Sequence, residues 1–182
     1  MTNRTKRRVC VISEALQSHL IDADLFAPFV VARLEGAKPK RRRESTFAVT
    51  LQNLDKPGQT KEELRIKREG LSALHGLPPV QDRIVTEWAA CGVACALVWF
   101  YTGLRVLSAA EIGERFDYWV GNDTLQWGLE VSGTLSQSAD EMLERHRQKR
   151  NQLLSHPAGC GYVVIVGFAR REVILSFHAS ED

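Results

Sequence analysis

The chain has 182 residues, 44% hydrophobic and 25% charged, which suits one folded domain with its own core and excludes both a disordered chain and two full-size domains. Its net charge of +2 hides an asymmetry: residues 1–80 carry 15 Lys/Arg against 9 Asp/Glu, and residues 81–182 carry 9 against 13. The basic half is N-terminal.

The basic start, residues 1–8, is followed by no apolar core of signal-peptide length before Ser13 and Glu14, which predicts a cytoplasmic protein. The runs 25–34 and 46–54 are apolar and read as strands. Between them stand Lys38, Lys40, Arg41, Arg42 and Arg43, a cluster suited to sequence-independent contact with nucleic-acid phosphate or to a solvated loop. Residues 60–75 read as a polar helix ending at Gly76. The pair Pro78 and Pro79 interrupts helix and ladder alike, placing a boundary between an N-terminal extension, 1–79, and a core, 80–182.

Asp82 is the expected N-cap of a helix over 84–101 that is apolar almost all round and ends at Gly103. The uncharged stretch 88–104 is broken by glycines and shorter than the ~20 residues of a membrane span, so it reads as a buried helix. Cys91 and Cys95 fall on it four apart, and core packing suits them better than half a zinc site; Cys10 and Cys160 add no second pair. Ser108 to Glu111 has capping-box spacing and suggests a short helical turn before Gly113.

Strands over 116–120 and 125–132, joined by Gly121, Asn122, Asp123 and Thr124, make the best hairpin of the sequence. Ser138 to Glu141 is a second capping box and opens a helix to about residue 154, which His156 to Gly159 stop. The stretches 162–168 and 173–177 read as buried strands. The order is helix, hairpin, helix, strand, strand, an α/β core.

Alternation puts Phe116, Tyr118, Val120, Leu125, Trp127, Leu129 and Val131 on the core side of the hairpin. Asp117, Trp119, Gln126, Gly128, Glu130 and Ser132 take the other side. A two- or four-residue connection pairs Asp117 with Gly128, so Glu130 lies diagonally adjacent, about 7–8 Å away, and Gly128 leaves space beside the acids. Two carboxylates placed so converge on one cation, although a hairpin buried on one face carries polar residues on the other without any function. Glu87 is the single charged residue of 84–104, and an acid in so apolar a helix needs a cation, a donor or a helix N-terminus.

A helix bearing Glu87, a strand bearing Asp117 and a second strand bearing Glu130, then a helix and a further strand, resemble the PD-(D/E)XK nuclease superfamily over about residues 83–178. The resemblance implies a restriction-endonuclease-like core. It implies Asp117 and Glu130 as ligands of Mg²⁺ or Mn²⁺, Glu87 as a third acid near the metal, and all three acids lining one cleft. Ser132 stands where the motif lysine belongs, and a hydroxyl cannot supply that lysine's charge. The following helix offers Lys149 first and Gln148 second as substitutes. The implied function is metal-dependent hydrolysis of DNA, as in defence or mobile-element systems. The alternative is a nuclease-like fold that no longer cuts and binds nucleic acid or a protein; a homodimer, or an unrelated α/β protein that only binds a partner, stays open.

Overall fold

The computed structural model describes residues 7–35, 43–54, 56–69, 71, 80–157 and 159–180. Lys38, Lys40, Arg41, Arg42, the helix end at Gly76 and the Pro78-Pro79 boundary lie outside the described residues.

The elements in chain order are β1 (Arg7–Val11), α1 (Ile12–Gln17), a 3-10 turn (Ala23–Phe26), α2 (Ala27–Glu35), β2 (Glu44–Gln52) and β3 (Gln59–Lys67). They continue with α3 (Asp82–Thr102), β4 (Arg105–Ala109), β5 (Tyr118–Gly121), β6 (Gln126–Thr134), α4 (Ala139–Leu154), β7 (Cys160–Gly167) and β8 (Glu172–Ala179). Among the described residues the strands form one mixed sheet in the order β1-β3-β2-β8-β7-β6-β5-β4. The α/β class expected from sequence is therefore present, and the N-terminal strands belong to the same sheet as the rest, because β2 runs parallel to β8 from Ala48↔Glu172 to Gln52↔Ser176.

The two N-terminal elements differ from the sequence reading for the same reason: tertiary partners outweigh local propensity. Residues 27–35 form a helix, since Phe29, Val30, Val31 and Leu34 bury themselves against α3 rather than against flanking strands. Residues 59–67 form a strand despite their lysines and glutamates. Leu64 and Ile66 point into the core at period two, and the strand is paired along its length with β2 and also with β1.

α3 is the central helix, packed against α1, α2, β6 and β7. It is long and apolar enough to cross a membrane by composition, and 61% of that window is buried inside the fold. Gly103 at φ 71° ends it in the left-handed conformation, its N–H returning to Trp99. Asp82 is not its cap: Gln81 takes that place, and Asp82 forms an ion pair at 2.6 Å with Arg33 of α2. Cys10 and Cys95 are buried core residues, and all four cysteines are free thiols.

The sheet has helices on both faces. A side chain at Gly133 of β6 would strike Thr86 and Ala90 of α3, whereas one at Gly128 would strike Leu153 of α4. Odd positions of β6 therefore face α3 and even positions face α4. The main core lies on the α1–α3 face, and a smaller cluster of Phe116, Met142, Leu153, Val163, Ile165 and Ile174 lies under α4. Ser138 caps α4 as expected, accepting the N–H of Glu141 at 3.2 Å. Of the residues expected to form a helical turn, Ser108 and Ala109 instead complete strand β4, where Ser108 pairs with Trp119, and the turn comes later, with the Glu114 N–H donating to Glu111 O at 3.1 Å.

Candidate functional site

The site is built where β5 begins, along the even face of β6 and on the underside of α4. The hairpin turn sets its register. Asn122 Oδ1 accepts the N–H groups of Thr124 and Leu125, each at 3.0 Å, so the turn occupies 122–125 and the last strand pair is Gly121↔Gln126. Gly128 consequently pairs with Trp119, not with Asp117, and one step beyond Tyr118↔Leu129 sets Asp117 beside Glu130 itself. The slip from the expected register is two residues, which preserves the face of each residue paired in the two strands.

Two further expectations about the hairpin are corrected. Phe116 packs with Trp119 in the α4-side cluster rather than in the main core, because residues 114–117 form a bend ahead of β5, where strand alternation does not hold. Leu125 sits in the turn and is exposed. Nor does Gly128 leave open space beside the acids: Leu153 and Phe116 occupy it.

Asp117 is anchored by its own backbone and side chain. Its N–H donates to Leu129 O at 2.9 Å, and its Oδ2 accepts the Val131 N–H at 2.7 Å, continuing the ladder past the end of β5. Its side chain is 38% exposed. Glu130 lies beneath it with 0% exposure. Glu130 Oε2 accepts from the Lys149 ammonium at 2.5 Å, while Oε1 is buried and has no hydrogen-bond partner. Burial first, and then the negative charge of Asp117, raise the Glu130 carboxyl to about 8, against the lowering effect of Lys149.

Lys149 reaches this place because of its position on α4. Met142, His146, Lys149 and Leu153 follow one another at spacings of four, three and four, a single stripe along the helix. Met142 and Leu153 are buried at the two ends of the stripe and seat the helix on β7 and β6. His146 and Lys149 therefore enter from its middle. The Lys149 ammonium touches Glu130 and lies 3.9 Å from Asp117 Oδ2.

The other residues named from sequence divide as follows. Ser132 is on the same face, but its hydroxyl accepts from Arg145 at 3.4 Å, and that guanidinium is committed to Glu141 at 2.9 Å. Gln148 is exposed on the outer side of α4 and donates to Glu144. Glu87 does not join the cluster: α3 covers the opposite face of the sheet, where Glu87 is 47% exposed and paired with Arg83 at 2.8 Å. Its place in an apolar helix is explained by the helix's solvent-facing flank. Arg43 precedes β2, nine residues from Gln52, the β2 residue that shares a cross-strand row with Ser176, Val163 and Glu130. At about 3.3 Å per residue that is roughly 30 Å along the strand, so Arg43 stands at the far end of the sheet.

A second polar group under α4 was not anticipated. His146 Nε2 and His178 Nε2 both meet the Ser176 hydroxyl, at 2.7 and 2.8 Å, and Ser176 is fully buried. Burial lowers the His146 imidazole and takes that of His178 down to about 4. The signal was present in sequence as the 142-146-149-153 spacing and as the shared parity of Ile174, Ser176 and His178, but it needed the pairing of β7 with β8 to be seen. Among the described residues no group of three or more His, Cys, Asp or Glu is arranged to hold a metal ion. A hard divalent ion is nonetheless compatible with what Asp117 and Glu130 offer: two carboxylates, an orphaned buried oxygen and an exposed flank for water and phosphate.

Comparison with known proteins finds no match, whether among family models, curated proteins or solved structures.

Proposed function

We propose that this protein is a metal-dependent nuclease of the PD-(D/E)XK type, acting on DNA phosphodiesters, in which Lys149 of α4 replaces the motif lysine missing at Ser132. The observation that carries this reading is the convergence of Asp117, Glu130 and Lys149, whose ammonium stands 2.5 and 3.9 Å from the two carboxylates. The order α3, antiparallel β4-β5-β6, α4, and β7 parallel to β6 agrees with the arrangement that the resemblance implies.

Asp117 and Glu130 would hold Mg²⁺ or Mn²⁺, which when bound polarises a phosphate and lowers the pKa of water. Asp117, on the exposed flank, faces the substrate, and Glu130 forms the buried floor. Lys149 brings its positive charge to the phosphate oxygens as negative charge grows on them. Glu87 has no part in this reduced site.

A second reading, a nuclease-like fold that binds without cutting, is favoured by the absence of Glu87 from the cluster and by the engagement of Ser132 with Arg145. Labelled single- and double-stranded DNA incubated with and without Mg²⁺ or Mn²⁺ separates the two. Cleavage should require metal, vanish in Asp117→Asn and slow by ~10²-fold or more in Lys149→Met. A wild-type protein that binds DNA and never cleaves it under either metal establishes the second reading.

A further inference from the structure

We propose that Lys149 is a resident cation occupying the place the two carboxylates would share with a divalent ion, and that it gives up this place to metal more readily when a phosphate receives its ammonium. The inference rests on the nuclease reading and adds a control to it: metal and phosphodiester bind cooperatively because one side chain must move for both.

Three observations carry the argument. The ammonium bonds Glu130 Oε2 and faces Asp117 Oδ2, so it fills the position between the acids. A second cation drawing on those same two oxygens meets both its bulk and its like charge. Glu130 Oε1 is buried with no hydrogen-bond partner, so one ammonium does not use up the acceptors of this pair. Lys149 also has an exit. Its side chain is 24% exposed, and Met142 and Leu153 pin α4 on either side, so the four-carbon stem can swing without the helix moving.

An incoming phosphate is the anion able to hold the displaced ammonium. Linkage then fixes the sign: phosphate raises metal affinity, and metal raises phosphate affinity by the same factor.

The test is titration of Mn²⁺ into the full chain, with and without a phosphorothioate DNA duplex that resists cleavage, in wild type, Lys149→Met and Lys149→Arg. Expected are an affinity for Mn²⁺ about tenfold tighter in Lys149→Met without DNA, and no tightening in Lys149→Arg, which keeps the charge. In the wild type the duplex should tighten Mn²⁺ binding by about tenfold, a gain that largely disappears in Lys149→Met. Equal Mn²⁺ affinity in Lys149→Met and wild type, or no effect of the duplex on wild type, overturns the proposal. Should Lys149→Met fail to fold, Lys149→Gln, which also removes the charge, takes its place in the same titrations. The outcome is separable from the nuclease reading: cleavage without the metal trade removes the gate only, and the trade without cleavage removes the nuclease only.

Discussion

Replacing Glu130 by glutamine should change how the stability of the fold responds to pH. The carboxyl goes from an ordinary 4.5 to about 8 on folding, so between those values the folded protein binds a proton that the unfolded chain does not. Stability from this group is complete below pH 4.5 and is lost as pH rises through about 8. With the side chain buried, about 1.4 kcal/mol per pH unit makes the loss at most on the order of 5 kcal/mol. Glutamine resembles the protonated acid in shape and removes the titration. Urea denaturation at intervals from pH 5 to 9 should show wild type weakening across the window and Glu130→Gln staying nearly flat, the two curves converging toward pH 5. Parallel curves would mean that Glu130 is not held in a carboxylate-hostile setting, and the account of the buried floor would fail.

Burial also lowers His19, whose Nδ1 accepts the Val106 N–H at 2.9 Å, to about 4, so its contribution is present above pH 6.5 and lost as pH falls toward 4. His19→Gln, which keeps an acceptor, should show a shallower acid limb in thermal unfolding, by up to about 3 kcal/mol. Leu153→Ala removes one apolar end of the α4 stripe and should cost roughly 2–4 kcal/mol in denaturant unfolding while lowering cleavage through Lys149. Glu87→Gln should leave cleavage within a few-fold of wild type, since its partner is Arg83 on the same helix. A loss of a hundredfold in a DNA-cleavage assay would return Glu87 to the site.

The C-terminal half was readable because its elements carry their own signals. The unbroken apolar α3, the Ser138 capping box and the Asn122 turn are local, and they fixed helix, hairpin and helix to within a few residues. Lys149 was named as a substitute for the motif lysine that the resemblance implies, and its seat on the 142-146-149-153 stripe of α4 became visible only in the fold. Residues 27–35 and 59–67 were misread because their state depends on partners distant in sequence, α3 for the first and β1 and β2 for the second. Glu87 misled for another reason: composition shows that an acid sits in an apolar helix but not on which side of the sheet the helix lies. Ser176 and His178 acquire meaning only once α4 has been laid across β8.

The parallel pairing of β2 with β8 also governs the order in which the chain assembles. Ala48 and Glu172 are more than a hundred residues apart, so during synthesis β2 and β3 must wait as an incomplete sheet with one edge of β2 open until β8 leaves the ribosome. That edge, Ala48 to Gln52, is open to wrong strand pairing while the protein is being made. A chain begun at residue 80 would reverse the problem, leaving β8 as a bare edge, so the N-terminal half acts as the built-in protector of the strand that carries Ser176 and His178.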